Sequence, residues 1–260
     1  MIIQPKSLIV AAFLAVTPIA VGAIAALTGV AAGPAAAVDV IGFDRKWLLS
    51  VDEARAVIAN GALVLDARNA ALRGQSPIRN AAVLTAADLT GSDAGVTERL
   101  RHLGLNSDEP AIVLGDPAHG LGEDAALVLA LRSLGHQRVA MVDGGLPALL
   151  AAGLPTVQAP FGPGNFEIAH NDSWSLKAAH AKLRDFQLVE SDLSPEFLTP
   201  DGRLKSADQI AAILAAKGID RDARIAIAGD NAAWLATVLL DQGYDARQVV
   251  GDEQALTASN

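Results

Sequence analysis

The sequence predicts an α/β protein built from parallel sheets with helices on both faces, in two copies of one unit, behind an N-terminal hydrophobic helix. Three observations lead there. Short apolar runs alternate with segments of helical spacing, the signature of a parallel sheet with crossover helices. The pattern then repeats: Ile112-Val-Leu-Gly-Asp116 returns as Ile225 and Ile227-Ala-Gly-Asp230, and Leu103-Gly-Leu-Asn-Ser-Asp108 as Lys217-Gly-Ile-Asp-Arg-Asp222. Finally, no charged residue occurs from Ser7 to Val38. These observations divide the chain into residues 1–38 (membrane anchor or signal), 39–155 (first unit), 156–170 (linker) and 171–260 (second unit).

Leu8 to Ala32 is almost wholly Leu, Ile, Val, Ala and Phe. Twenty-five helical residues would span roughly 38 Å, enough to cross a ~30 Å hydrocarbon core with tilt. Lys6 precedes the stretch and Asp39 and Asp44 follow it, so the body is expected outside, on the periplasmic side of an inner membrane. Two fates stay open. Pro18, Gly22 and Gly29 are tolerable in an uncleaved anchor. Ala35-Ala36-Ala37 is a small-residue site at which a signal peptide could be cut before Val38, leaving a soluble periplasmic protein. Trp47 could rest at the membrane surface if the anchor stays.

Within the first unit, Val51, Ala54, Val57 and Ile58 give a helix ended at Asn60-Gly61. Ala62 to Leu65 reads as a buried strand ending at Asp66-Ala67-Arg68. Leu84 to Leu89 and Thr97 to Leu103 continue the pattern to Gly104. Ala111 to Leu114 is the next strand, followed by the glycine-rich loop Gly115 to Gly122, a helix from Glu123 to Leu134, and a strand Val139 to Val142 before Asp143-Gly144-Gly145. After the Pro/Gly-rich stretch Pro155 to Gly164, Leu176 to Leu183 reads as a helix and Leu188-Val189 as a strand. Ser206 caps a helix stopped by Gly218, Ile225 to Ala228 is a strand, and a helix to Asp241 precedes the strand around Val249-Val250. Trp47 and Trp174 each read as sitting just before a helix, in packing roles.

Composition bounds the chemistry. The 260 residues are 51% hydrophobic and 19% charged, which excludes disorder. A net charge of −9 without any Lys/Arg run argues against nucleic acid as a partner. There is no cysteine, so disulfides, thiolate metal sites and sulfur nucleophiles are excluded. The glycine-rich loop is neither a Walker loop nor a dinucleotide fingerprint.

Several motifs in order, Val64-Leu-Asp-Ala-Arg68, Ile78-Arg-Asn-Ala81, Leu131-Arg-Ser-Leu-Gly-His136, Val142-Asp-Gly-Gly145 and Gly202-Arg-Leu-Lys-Ser-Ala-Asp-Gln-Ile210, resemble the tandem rhodanese (thiosulfate sulfurtransferase) family. The resemblance implies two rhodanese-like domains. It also implies a cysteine after the central strand, at the bottom of a loop of N–H groups wrapped onto a helix N-terminus, where an anionic sulfur is stabilised. The matching positions hold Gly115 and Gly229, so both units lack the nucleophile. The family's catalytic unit is usually the C-terminal one. Here its loop is about six residues short, and Asn231-Ala-Ala-Trp234 stands in its place, with Trp234 expected to fill the former pocket.

What remains in the first loop admits three readings. The blandest has Glu123 or Asp124 capping the helix and His119 as an exposed tip. Alternatively Asp116 and His119 form a metal or acid–base pair. As a third possibility Gly115, Asp116, His119, Gly120 and Gly122, with Arg68 or Arg73 nearby, keep an anion-binding cradle, against which the carboxylates argue. Asp66 and Arg68 read as a structural pair under the loop. His102, His136, His170 and His180 show no ligand spacing, and no metal or cofactor is expected. Three function classes follow. The first is a non-catalytic module acting as a scaffold or accessory subunit of a membrane protein complex, or binding another periplasmic protein. The others are a small-anion binding protein and a relative with non-cysteine chemistry.

Overall fold

A computed structural model describes residues 43–120, 122–177 and 185–251. The expected anchor or signal at 1–38 lies outside them; among the described residues no helix is long and apolar enough to cross a membrane.

Two all-parallel sheets organise the chain. In the first, β1 (Leu48–Leu49), β2 (Leu63–Asp66), β3 (Ala82–Val83), β4 (Ala111–Leu114) and β5 (Val139–Val142) lie in the order β1-β5-β4-β2-β3. In the second, β6 (Ser175–Lys177), β7 (Gln187–Glu190), β8 (Arg224–Ala228) and β9 (Asp245–Val250) lie in the order β6-β9-β8-β7. The second order repeats the first with β6, β7, β8 and β9 in the places of β1, β2, β4 and β5. Register carries the repeat to single residues: Asp66 pairs with Leu114, and Glu190 with Ala228. Gly115 and Gly229 therefore occupy the same place in their units, one step beyond the central strand.

The connecting helices are α1 (Val51–Ala59), α2 (Ala70–Gln75), α3 (Asp93–His102), α4 (Glu123–Ser133), α5 (Gly145–Ala152), α6 (Ala207–Ala216) and α7 (Ala232–Asp241). Reciprocal capping boxes start α1 (Ser50 with Glu53) and α6 (Ser206 with Gln209), each satisfying two otherwise orphaned backbone donors. Strand alternation decides the layers. Val64, Ile112, Leu114, Ala140 and Val142 point to one side and pack with α1 and α5. Leu65, Val113 and Met141 point to the other and join α3, α4, α6, α7 and the inward residues Val189, Ile225 and Ile227 of the second sheet in one continuous core. Helices thus cover both faces of the first sheet. In the second, α6 and α7 lie on one face. The positions matching α1 and α5, residues 178–184 and 252–260, lie outside the described residues.

Some expected elements differ. Of the helix expected from Leu176 to Leu183, Leu176 and Lys177 belong instead to strand β6, because Leu176 is zipped to Val249, and the rest lies outside the described residues. The short edge strands β1 and β3 and helix α5 were not legible. Trp47 and Trp174 precede strands rather than helices, and they pack edge to face at 5.1 Å. Trp47 is buried with the Arg132 guanidinium 4.1 Å above its ring, so it is not free to lie at a membrane surface. Residues 156–170 are strapped along the first sheet's end instead of hanging between lobes. Val157 and Phe166 are buried, Gly164 N–H donates to Arg101 and Phe166 N–H to Leu105. A Cβ on Gly164 would lie 1.9 Å from the Leu105 carbonyl oxygen, so only glycine permits this seam.

Polar ties reinforce the shared core. The Asp241 carboxylate, at the end of α7, accepts from Trp47 N–H (3.0 Å) and Leu48 N–H (3.1 Å), covering the free edge of β1. Asp143 accepts from Arg203 Nε and from Leu204 N–H, both at 2.8 Å.

Candidate functional site

In each unit the loop after the central strand leads into a helix N-terminus, where backbone donors and the helix dipole favour an anion. In the first unit this is Gly115 to Gly122 entering α4. The loop after β5 passes directly beneath: Leu146 N–H donates to the Gly115 carbonyl (2.9 Å). Gly145 has φ +58°, and a Cβ there would meet that carbonyl oxygen at 2.5 Å. The double glycine Gly144-Gly145 therefore serves close passage of two loops.

The bottom of the loop is filled. Gly115 does not adopt positive φ, so its backbone would accept a side chain. Its surroundings would not. A Cβ at 115 would lie 2.4 Å from Asp124 Oδ2 and 2.5 Å from Asp124 Cγ. The Asp124 carboxyl fills the space that a side chain at 115 would take. It does not cap α4; the N-cap is Gly122, at φ 104°, with no side-chain bond, which corrects the capping expectation. Instead Asp124 is buried and its Oδ1 accepts from Ala125 N–H (2.8 Å). Burial pushes its pKa up to about 6, with the backbone hydrogen bond opposing and neighbouring Glu123 adding to the rise.

The upper loop is occupied by its own acid. Asp116 Oδ1 accepts from Ala118 N–H (3.2 Å), its carbonyl from His119 N–H (3.0 Å), and Oδ2 lies 3.1 Å from His119 Nδ1. Asp116 and His119 do meet, with His119 more than half exposed, but among the described residues no third potential metal ligand joins them. Gly120 is exposed and adds only φ 153°. Neither arginine reaches the loop interior. Arg68 is 1% exposed; its Nε and Nη2 bond Asp66 Oδ1 (2.9 Å) and Oδ2 (2.8 Å), and Nη2 also donates to the Ser76 carbonyl. Arg73 donates to the Arg68 carbonyl. With Arg68 and Arg73 engaged elsewhere, an anion in this loop would face the carboxyl groups of Asp116 and Asp124.

Trp234 completes the closure, at a different place than expected. It packs beside the first unit's loop, next to Gly122, Pro117 and Asp124. It is 5% exposed, and its Cβ would lie 3.9 Å from a Cβ on Gly122. Trp234, Asp124, Met141, Gly144 and Leu204 line a residual cavity of about 10 Å³. That is at the threshold for a single water.

In the second unit Gly229 has φ +104°, and a Cβ there would meet Ser191 Oγ at 2.4 Å. Buried Ser191 takes the place of Ala67 in the repeat, and its Oγ accepts from Asn231 N–H (3.1 Å). The shallow depression above, about 390 Å³, is lined by Glu190, Ser191, Asp192, Gly229, Asp230 and Asn231, whose three carboxylates give it the wrong sign for an anion. Ser191, Asp143 and Arg203 were not singled out from the sequence. Aligning Ala67 with Ser191 would have found the first; the others are contacts between units with no sequence signal.

The buried carboxyl gives a testable pH dependence. Because Asp124 is raised in the folded protein, the stability its protonation lends is complete below the free value of 3.8. That stability is lost as pH rises through about 6. The full loss corresponds to about 3 kcal/mol. Asp124→Asn keeps the shape and the bond from Ala125 N–H but cannot ionise. Its unfolding free energy relative to wild type is therefore expected to climb between pH 4 and 6 by up to this amount and then level off. The comparison must be a difference, since burial lowers His136 to about 4 and pulls stability the opposite way in both proteins. Denaturant titrations of both at stepped pH measure it; a difference that stays flat contradicts the assignment.

No family model matches the chain, and no curated protein is similar to it in sequence. Solved structures are. SseA from Escherichia coli, described with the "rhodanese" fold and catalytic mechanism of 3-mercaptopyruvate sulfotransferases, superposes with a TM-score of 0.62 at 19% identity, covering 79% of this chain and 98% of its own. YnjE gives 0.61 at 18% identity over 78% of this chain, which spans 64% of YnjE. The sub-stoichiometric sulfur transferase subunit of yeast mitochondrial complex I gives 0.59 at 17% identity over 80% of this chain and 95% of its own. At these identities the likeness establishes the fold: the chain has the rhodanese fold, in an α/β architecture of parallel sheets.

Proposed function

We propose that this chain is a non-catalytic rhodanese-fold module, a scaffold or accessory subunit of a protein complex on the periplasmic side of a bacterial membrane. The observation that carries the loss of catalysis is the filled nucleophile position. Asp124 occupies the space behind Gly115, Ser191 that behind Gly229, and the chain contains no cysteine on which a persulfide could form. With both loops filled, this reading places the means of acting on the outer surface of the fold. The solved subunit of yeast complex I gives this fold a precedent inside a larger assembly. The membrane location rests on the sequence alone, on the uncharged stretch from Ser7 to Val38.

The test is the native mass of the protein extracted from its own membranes in mild detergent, with its N-terminus determined. The expected result is a large, defined assembly containing a chain that keeps residues 1–38. A soluble, solitary protein beginning at Val38 would overturn the complex-subunit reading.

A further inference from the structure

Phe161 is fully exposed at the tip of Pro160-Phe161-Gly162-Pro163, the most exposed large apolar side chain among the described residues. Its place in the fold gives it meaning. All strands of the first sheet run parallel, so every strand begins at one end and the Gly115 loop lies at the other. The Phe161 loop is at the starting end. It lines a depression with Gly61 and Leu63, which enter β2, and with Gly104, Asn106 and Glu109, which enter β4. The chain's first described residues are at the same end. Asp44 pairs with Arg138, which enters β5 and also donates to the Asp108 carbonyl (3.1 Å). One surface thus runs from Asp44 through Arg138 and Asp108 to Phe161.

We infer that this surface rests on a lipid bilayer, with Phe161 inserted at the headgroup–acyl boundary and the Gly115 loop turned away from the membrane. The inference depends on the anchored reading above. If residues 8–32 cross the membrane, only residues 33–42 separate them from Phe43, a reach of at most about 35 Å fully extended. A tether that short holds the loop at high effective concentration near the surface, so a single aromatic suffices where a free protein would need more. Flanking prolines restrict the loop, so little order is lost on contact. The charges on this face nearly balance. Asp44 is paired with Arg138 and Arg101 with Glu167, leaving Arg45 against Asp108 and Glu109. The surface therefore suits zwitterionic lipid and needs no anionic headgroups.

The absence of native cysteine makes the test clean, since one introduced cysteine is one label. Full-length Ala159→Cys, beside an intact Phe161, and Ala118→Cys, at the opposite end, each carry an environment-sensitive fluorophore. The proteins are reconstituted into phosphatidylcholine/phosphatidylethanolamine vesicles containing a lipid-borne quencher, and co-flotation is recorded. The expected result is co-flotation of both, with severalfold more quenching at 159 than at 118. Adding Phe161→Ala should leave flotation intact while the 159 signal falls to that of 118. Co-flotation with equally weak quenching at both labels overturns this inference alone. A chain that fails to float overturns the anchored reading and this inference with it.

Discussion

Replacing Trp234 by alanine is expected to lower the unfolding free energy by about 3–5 kcal/mol, the usual cost of deleting a large buried aromatic. The upper half of that range is favoured by its setting. Trp234 is 5% exposed between α7 and α4, and its neighbours leave only about 10 Å³ unfilled, so the surroundings are already packed against it. Those neighbours come from both units: Leu48, Asp124 and Met141 from one, Leu204 and Val238 from the other. They cannot all relax inward without disturbing the ties of Asp143 to Arg203 and Leu204. Because the two sheets share one core, wild type should unfold in a single transition, and the variant in one shifted transition or two separated ones. Denaturant unfolding followed by circular dichroism measures both features. A loss below about 1 kcal/mol would be a surface-like response and would show that Trp234 does not close the first unit's loop.

The second large effect concerns the pair beneath that loop. Asp66→Ala strips the carboxylate from a guanidinium that is 1% exposed, and removing one partner of a buried ion pair costs about 3–5 kcal/mol. Arg68 keeps its bond to the Ser76 carbonyl, but a carbonyl cannot neutralise a buried cation. The double variant Asp66→Ala/Arg68→Met removes the orphaned charge and fills similar volume, so it should recover much of the loss. The double-mutant cycle reads this as a strong favourable coupling between the two sites. Near-additive losses would show that the pair does not act as a unit and would reopen Arg68 as a group available to a ligand.

Much of the fold was legible because its signals are local. Fully buried strands such as Ala111–Leu114 appear as continuous apolar runs, and Asn60-Gly61 and Gly218 mark helix ends. The repeat was visible because equivalent strands keep their flanking glycine and aspartate. The two-residue edge strands β1 and β3 are too short for any periodicity, and β6 is a strand only because β9 lies beside it. In the candidate site, composition showed that cysteine was absent. It could not show what stands in its place. Asp124 as an occupant of the Gly115 site depends on how α4 is aimed, and Trp234 crosses from one unit to the other, a relation with no trace in spacing. Asp66 and Arg68 were readable as a pair because a carboxylate and an arginine two residues apart at a buried strand end have few other partners.

The central claim is that the space behind Gly115 in the first unit's loop is filled by Asp124. The most direct measurement is transfer of sulfur from thiosulfate to cyanide by wild type and by Gly115→Cys, both first shown to be folded by near-ultraviolet circular dichroism. No turnover is predicted from either protein, because a side chain at 115 meets the Asp124 carboxyl instead of an open cradle. Turnover by folded Gly115→Cys, or by wild type, would contradict the account.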